Sequence, residues 1–286
     1  MPSKTKKQGA RSNRLPVVVS GHISLLTDFG TADYFVGSVK AVILSINPTA
    51  TIVDVTHEIP AQDIEAAAFT LLASYRSFAP GTIHLAVVDP GVGSARRPIL
   101  AQAGGQFFVG PDNGIFSYVF DNEPNFKVLH ITSSKYFRQP LSNTFHGRDV
   151  FAPVAASLSN GLSPESFGSE ISDAVRLPRL GPEFKRDGRV KGRIIHVDRF
   201  GNCVTNIDPT LLSNEHTKRA SLVVKGKRIK SFREFYGEDK ANKELFAICG
   251  SAGFLEISAR NRSAAKMLNA KLGDVVDLII KEPTNV

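Results

Sequence analysis

The sequence predicts an α/β protein: an N-terminal, mainly parallel sheet flanked by helices, followed by a smaller C-terminal β-rich, barrel-like domain. Two observations support this fold class. From residue 22 onward, apolar strands alternate with segments whose apolar residues recur at helical spacing. This β-α-β-α-β order is typical of a parallel sheet covered by helices. Beyond residue 191, short strand-like segments replace the alternation.

The elements of the first domain follow from periodicity and from turn residues at their ends. Apolar runs predict strands at 23–29, 51–56, 82–89, 97–103, 106–109 and 126–132. Helical spacing predicts helices at 33–46, 61–75 and 149–159, and Pro60 precedes the second of these.

The second domain is predicted after a segment rich in proline, glycine and charge. Its segments are mostly short strands, with one short helix near 262–269. We therefore divide the chain into a flexible basic leader (1–21), an α/β domain (22–180), a linker (181–191) and a β-rich domain (192–286).

Composition and charge exclude several classes of protein. Five of the basic residues lie within residues 1–14, and removing their charges from the net charge of +8 leaves +3. We therefore expect a solvated leader and no nucleic-acid partner. No apolar run is long enough to cross a bilayer, and residues 15–21 are too few for a secretory signal. The two cysteines, Cys203 and Cys249, lack metal-ligand or redox spacing, so we expect a cytoplasmic protein.

Acidic residues end three predicted strands. Asp28, Asp54 and Asp89 each introduce a turn-forming stretch. Because ligands of α/β sheets bind at the carboxyl ends of the strands, the three together favour one shared site. Taken singly, each aspartate is better explained as a helix cap or a turn residue.

Two further polar clusters precede apolar segments, "SNTFHGRDVFAP" at 142–153 and "VDRFGNCVTN" at 197–206. Spacing alone leaves open whether Asp149 caps a helix and whether Asp198 and Asn202 only form a turn. The chain has no glycine-rich dinucleotide or P-loop motif and no HExxH zinc motif, so we expect no metal and no cofactor.

Taken together, these segments resemble a known family. "LLTDFGTADYFVGSVKAVI", "VVDPGVGSARR", "TFHGRDVFAP" and "VDRFGNCVTNI" occur in that order. They are similar to the S-adenosylmethionine hydroxide adenosyltransferases, whose superfamily includes fluorinase and chlorinase. The resemblance covers roughly residues 22–280 and leaves the basic leader outside.

The resemblance implies a reaction and the residues that perform it. Water or hydroxide displaces methionine from the ribose 5′-carbon of S-adenosylmethionine, which gives adenosine and L-methionine. The family's catalytic Asp, Arg and His match Asp89, Arg96 and His146. Either Asp89 or His146 would accept the proton of the attacking water, and the sequence does not decide between them.

The resemblance also implies how the substrate is bound. Asp28 would hold the ribose hydroxyls, and Asp198 and Asn202 would contact the amino and carboxylate groups of methionine. The other expected substrate-binding residues are Ser251 at the amino-acid end, and Phe200, Phe254 and Arg262 near the adenine. The family forms homotrimers, with each site between the first domain of one subunit and the second domain of its neighbour.

Other functions are weighed beside this one. A halide-dependent adenosyltransferase is the nearest alternative, but an anionic Asp89 repels a halide and Val92 replaces a hydroxyl-bearing residue. Gln62 and Ala252 also depart from the fluorinase pattern, at a ribose contact and a carboxylate contact. From a different class, the chain could bind S-adenosylmethionine or a nucleoside without turnover.

Overall fold

The computed structural model describes residues 19–212, 217, 219–238 and 244–280. Residues 1–18 of the predicted leader therefore lie outside the described residues. The strands of the first sheet are β1 (His22–Thr27), β2 (Thr51–Thr56), β3 (Ile83–Val87), β4 (Pro98–Ala103), β5 (Gln106–Pro111), β6 (Lys127–Ile131) and β7 (Gly168–Ile171). Its helices are α1 (Phe35–Ile46), α2 (Ile64–Ser74), α3 (Ser117–Asn122) and α4 (Ala152–Ser159).

The first sheet has the order β2-β1-β3-β5-β4-β6-β7. Strands β2, β1, β3 and β5 pair in parallel, whereas β4, β6 and β7 add antiparallel pairs at one side. The predicted α/β class is confirmed. The antiparallel part arises because β4 and β5 are joined by a tight turn at Gly104–Gly105, where both glycines have positive φ angles.

The central strands β1, β3 and β5 are buried on both faces, which explains their continuous apolar sequences, whereas the edge strand β2 is partly exposed. Alternate residues of β1 enter opposite cores: Ile23 and Leu25 pack with α1 and α4, whereas Leu26 packs with α2 and α3. Helix α2 starts three residues later than predicted because the side chain of Asp63 caps it by accepting from the backbone N–H of Ala66.

Two elements of this domain escaped prediction. Helix α3 lacks the length to show a helical period, and β7 is a short strand whose residues are mostly half-buried or exposed. Both are stabilised by contacts with residues distant in the sequence, which a local sequence pattern cannot predict. For example, the Ser117 hydroxyl accepts from the backbone N–H of Leu177 at 2.8 Å.

The second sheet forms the predicted barrel-like β domain, curled around its own core. Its strands are β8 (Glu183–Phe184), β9 (Val190–Val197), β10 (Cys203–Thr205), β11 (Ala220–Val224), β12 (Lys227–Ile229), β13 (Phe232–Arg233), β14 (Leu245–Cys249), β15 (Leu255–Ala259) and β16 (Val275–Ile280). The predicted short helix is α5 (Ala264–Leu268). Part of the segment predicted as a linker pairs in this sheet, since Glu183 and Phe184 lie opposite Lys191 and Val190.

The two domains contact each other where α2 of the first domain packs against β9 of the second. The Phe69 ring of α2 lies 5.1 Å from the His196 ring of β9, and Arg193 forms an ion pair with Glu65. Within the described residues, no helix is long and apolar enough to cross a membrane.

Candidate functional site

The carboxyl ends of β1 and β3 bring two of the three predicted acids together. The two strands are parallel neighbours, with Thr27 beside Val87, so Asp28 and Asp89 emerge at the same edge of the sheet. Both line a cavity of about 370 Å³, which we call the strand-end cavity. Its lining residues are Asp28, Phe29, Phe35, Gln62, Val87, Asp89, Pro90, Val92, Thr144, Phe145, His146 and Gly147.

Asp54 does not join this cavity, contrary to the expectation of three acids in one site. Its carboxylate accepts from the Lys40 ammonium at 2.6 Å and lies 3.1 Å from the Nε2 atom of His57. Burial alone raises the pKa of Asp54, but the hydrogen bonds from Lys40 and His57 outweigh it and hold that pKa below its usual value. Asp54 is therefore satisfied within its own cluster.

Arg96 and Asp89 form a nearly buried ion pair just after the carboxyl end of β3. Their side chains are only 9% and 6% exposed, respectively. The Arg96 Nε atom donates to both carboxylate oxygens of Asp89 at 2.9 Å, and its Nη2 atom also bonds the carboxylate. The guanidinium lies over the Phe151 ring, 5.2 Å from its centroid. Arg96 is thus fixed in place and carries its charge beside the cavity.

The glycines of the DPGVG turn allow this contact. Gly93 has a φ of +77°, and a Cβ at this position would lie 2.3 Å from the backbone oxygen of Asn143. Only glycine therefore permits the turn to pack against the loop that carries His146. The chain reverses at the turn, and Arg96 returns over Asp89.

His146 completes the predicted catalytic group through Arg96. The Arg96 Nη2 atom lies 2.8 Å from the Nδ1 atom of His146. Because a guanidinium can only donate, we assign Nδ1 as the acceptor, which puts the proton of the neutral ring on Nε2. Burial and the adjacent Arg96 charge lower the pKa of His146. The neutral ring is therefore the stable form beside Arg96.

Asp149 anchors the loop that delivers His146. Its fully buried carboxylate accepts from the backbone N–H of Ser142 at 2.9 Å and from the Arg148 guanidinium at 2.7 Å. It bonds no backbone N–H of the helix that follows, so the alternative of a helix cap is not what the structure shows. The carboxylate instead joins the two ends of the loop 142–149 through its bond to the backbone of Ser142.

The predicted residues of the second domain line a different cavity of about 770 Å³, which we call the barrel cavity. Its lining residues are Asp198, Phe200, Asn202, Tyr236, Gly237, Ser251, Glu256, Ala259, Arg260, Asn261, Arg262 and Ser263. Five of the six residues expected there are present, and the Phe200 ring is 78% exposed.

Asp198 and Asn202 also form the turn that the sequence left open. The Asp198 carboxylate accepts from the backbone N–H groups of Phe200 and Asn202 and from the Asn202 side-chain amide, at 2.8–2.9 Å. The turn packs against α5 at Gly201, where a Cβ would lie 2.0 Å from the Ser263 hydroxyl oxygen. The same residues thus form a turn and line the barrel cavity.

Phe254 is the sixth residue, and the structure places it elsewhere. It packs between the two sheets, with its ring 6.3 Å from the Phe69 ring, and lines a cavity of about 990 Å³ that contains neither Asp89 nor Asp198. Phe254 therefore does not line the barrel cavity, and its expected position near an adenine stays a prediction. Phe254 packs against apolar residues of α2, which belongs to the first domain. The sequence around Phe254 contains no signal for a contact with another domain.

Several cavity residues were missed by sequence reasoning. The rings of Phe29, Phe35 and Phe145 pack at centroid distances of 5.2–5.9 Å and form an apolar wall of the strand-end cavity. Glu256 lines the barrel cavity. An acid inside the apolar strand "FLEISA" was a signal that could have identified it.

The strand-end cavity and the barrel cavity share no lining residue. One offers a carboxylate–guanidinium–imidazole group beside an aromatic wall, and the other offers acids, arginines and an exposed ring. Such a fold, with polar groups converging at the strand ends of an α/β sheet, defines an enzyme that acts on a small polar molecule.

Comparison with known proteins identifies the family. Residues 23–168 match the SAM hydroxide adenosyltransferase N-terminal domain, and residues 192–277 match the corresponding C-terminal domain. The chain therefore belongs to the SAM hydroxide adenosyltransferase family.

Individual relatives agree with this assignment. A protein of Methanocaldococcus jannaschii named (R)-S-adenosyl-L-methionine hydrolase is 36% identical over 274 residues, which cover 90% of this chain and 95% of that protein. A fluorinase of Actinoplanes sp. is 29% identical and covers 66% of this chain and 72% of its own length. The crystal structure of an uncharacterized conserved protein from Thermotoga maritima matches with a TM-score of 0.84 and 35% identity, covering 90% and 99% of the two chains.

Proposed function

We propose that this protein hydrolyses S-adenosyl-L-methionine to adenosine and L-methionine by attack of water at the ribose 5′-carbon. The observation that carries the proposal is Arg96, which bonds both Asp89 and His146 at the edge of a cavity that also contains Asp28. Relatives named hydrolases match over 90% of the chain, whereas the fluorinase matches over 66%.

The chemistry places its demand on the nucleophile. The sulfonium of the substrate leaves as a neutral thioether, so no general acid, metal or cofactor is needed for the leaving group. Water must be held in line with the carbon–sulfur bond and must lose a proton. The fixed charge of Arg96 stabilises the hydroxide that develops.

Asp89 is the better proton acceptor of the two candidates. The Nδ1 atom of His146 already accepts from Arg96, and its Nε2 atom carries a proton, so the neutral ring can only donate to the water. The Asp89 oxygens retain lone pairs beyond those bonded to Arg96. We therefore assign Asp89 as the base, with Arg96 as the electrostatic partner and His146 as the group that orients the water.

The substrate would span both cavities. Asp28 accepts from the Gln62 backbone N–H through one oxygen and has further lone pairs for the ribose hydroxyls. Asp198, Asn202 and Ser251 would bind the methionine end, while Phe200 and the main chain at Arg262 would contact the adenine.

We include a homotrimer in the proposal because the two cavities share no lining residue. The first domain of one subunit would then complete its site with the barrel cavity of a neighbour. The 78% exposed ring of Phe200 would be covered at that boundary. A cytoplasmic location is also part of the proposal, supported by two cysteines that form no disulfide.

Turnover in oxygen-18 water tests the reaction directly. We expect the purified chain to release methionine and adenosine labelled at the 5′-oxygen, with or without chloride, as measured by chromatography and mass spectrometry. A chloride-dependent 5′-chloro product would assign the chain to the halide-dependent adenosyltransferases instead. Binding of S-adenosylmethionine without any product would contradict catalysis.

Activity should depend on pH through His146. Since the His146 pKa lies below its ordinary value of about 6.5, kcat should hold at pH 6.5 and fall on further acidification. Protonation of Nδ1 removes the acceptor for Arg96 and places two cations side by side. The measurement is a kcat profile at saturating substrate, and His146→Gln should lose this acid limb along with most of its activity. A wild-type limb centred above pH 6.5 would contradict the lowered pKa.

A further inference from the structure

Glu256 is a buried acid that the proposed reaction does not yet use. It lies on β15, is only 7% exposed, and lines the barrel cavity with Asp198 and Ser251. A carboxyl group in such a position loses hydration, and that loss needs to be offset by hydrogen bonds or an opposite charge.

The protein supplies little of that compensation. In the described part of the chain, the Tyr236 hydroxyl is the one hydrogen-bond partner of the Glu256 carboxyl, 3.2 Å from Oε2. Burial raises the pKa of Glu256, and the nearby Asp198 charge raises it further, whereas only the Tyr236 bond lowers it. Arg260 and Arg262 also line the barrel cavity. Among the described residues, the burial of the Glu256 carboxyl is thus offset by the one hydrogen bond from Tyr236 and by no ion pair.

The chain leaves room for the Glu256 carboxyl beside Ser251. At Gly250, a Cβ would lie 1.8 Å from Oε1 and 2.3 Å from Cδ of Glu256, so the carboxyl occupies the space that a side chain would take. Gly250 directly precedes Ser251, which we expect at the amino-acid end of the substrate. The free oxygen Oε1 thus lies where the methionine end would arrive.

The Asp198 carboxylate is less available to bind a cation than the Glu256 carboxylate, because its oxygens already accept hydrogen bonds. Both Asp198 oxygens accept hydrogen bonds from its own turn, three in total. Oε1 of Glu256 has no such partner among the described residues. Of the two acids in the barrel cavity, Glu256 is the one with an oxygen still available.

We propose that Glu256 binds the α-ammonium group of the methionine end, with Oε1 as the acceptor and Tyr236 holding Oε2. A primary ammonium supplies a positive charge that can pair with the Glu256 carboxylate, and its hydrogen bond to a carboxylate is charge-assisted. The proposal rests on the proposed function, and it makes Glu256 a residue that selects substrates carrying an amino group.

The test compares two substrates that differ only in that group. Kinetics are measured with S-adenosyl-L-methionine and with the S-adenosyl sulfonium of 4-(methylthio)butanoate, which lacks the amino group. Glu256→Gln keeps the shape and removes the charge. We expect it to raise KM for S-adenosylmethionine roughly 10- to 100-fold while KM for the deaminated analogue changes less than about 2-fold. Since Glu256 does not touch the reacting carbon, kcat should change little.

A second variant and a control separate binding from folding. Gly250→Ala keeps Glu256 but displaces its carboxyl, so it should reproduce the selective effect on KM. Cys249→Ser, at the neighbouring exposed position, should change neither substrate's KM. An equal loss with both substrates in Glu256→Gln would indicate a structural role and would overturn the proposal.

Failure of the proposed hydrolysis is distinguishable from failure of this assignment. If the wild-type chain releases no adenosine, hydrolysis is wrong, and calorimetric titration of the same two molecules then tests Glu256 by binding alone. Tighter binding of S-adenosylmethionine than of the analogue, lost in Glu256→Gln, supports the assignment. Equal affinity for both molecules, or no binding of either, overturns it.

Discussion

Replacing Asp89 with asparagine should lower kcat for adenosine release by about 10³-fold. Asparagine keeps the size of the side chain but removes the proton acceptor and one of the charges that orient Arg96. The measurement is single-turnover release of adenosine at saturating S-adenosylmethionine. Arg96→Lys should cause a loss of similar size, because an ammonium cannot contact Asp89 through a fork and reach His146 at the same time.

Folding has to be measured beside catalysis in these variants. Removing one partner of a nearly buried ion pair costs about 3–5 kcal/mol of stability, so each variant requires a thermal unfolding curve. The matched control is Arg97, the adjacent residue of the paired arginines. Its guanidinium donates to Asp112 and Asp173 at 2.8 Å, whereas the guanidinium of Arg96 bonds Asp89 and His146.

Arg97→Lys should therefore reduce stability without reducing kcat of the folded protein. The two lysine variants are adjacent in the sequence, but the proposed mechanism predicts a loss of kcat only for Arg96→Lys. If Arg96→Lys and Arg97→Lys lowered kcat equally, the loss would follow from damage to the loop and the catalytic role of Arg96 would be wrong.

The sequence could predict the strand ends because they are local features. Asp28 and Asp89 follow apolar runs directly, and parallel pairing brings such residues to one edge whatever the rest of the chain does. Asp54 follows the same pattern but bonds Lys40 and His57 instead. Which strand-end acids share a site depends on side-chain partners from other elements, and no single segment contains that information.

Other features depend on contacts between distant segments. The role of Asp149 becomes visible only when residues 142–149 close on its carboxylate, and Phe254 meets Phe69 across the two domains. The acceptor state of His146 follows from Arg96, fifty residues away in the sequence. The sequence motifs and the family resemblance indicate the candidate site residues, whereas the acceptor state of His146 and the division into two cavities follow only from the fold.

Mixed assemblies of two inactive variants should recover activity if the site forms between subunits. Asp89→Ala disables the strand-end cavity, and Asp198→Ala disables the barrel cavity, so each pure variant should be close to inactive. In a ring with head-to-tail interfaces, a site that combines the intact cavity of each variant occurs at about one quarter of the boundaries in a random equal mixture. Activity of the unselected mixture should therefore rise from near zero to about one quarter of the wild-type value. Purification on both tags removes unmixed trimers and should raise the activity to about one third, because each mixed trimer has one such boundary among three.

The experiment is co-expression of the two variants with different affinity tags, followed by purification on both tags and an assay of adenosine release. Asp198 holds a turn through three hydrogen bonds, so Phe200→Ala provides a second partner variant in which only an exposed ring is lost. Co-expression of each variant with itself gives the baseline. A site built within one chain cannot be rescued in this way, because every chain in the mixture carries one defective cavity. Absence of recovery in assemblies that contain both tags would therefore place both cavities' contributions in the same subunit and would contradict the proposed interfacial site.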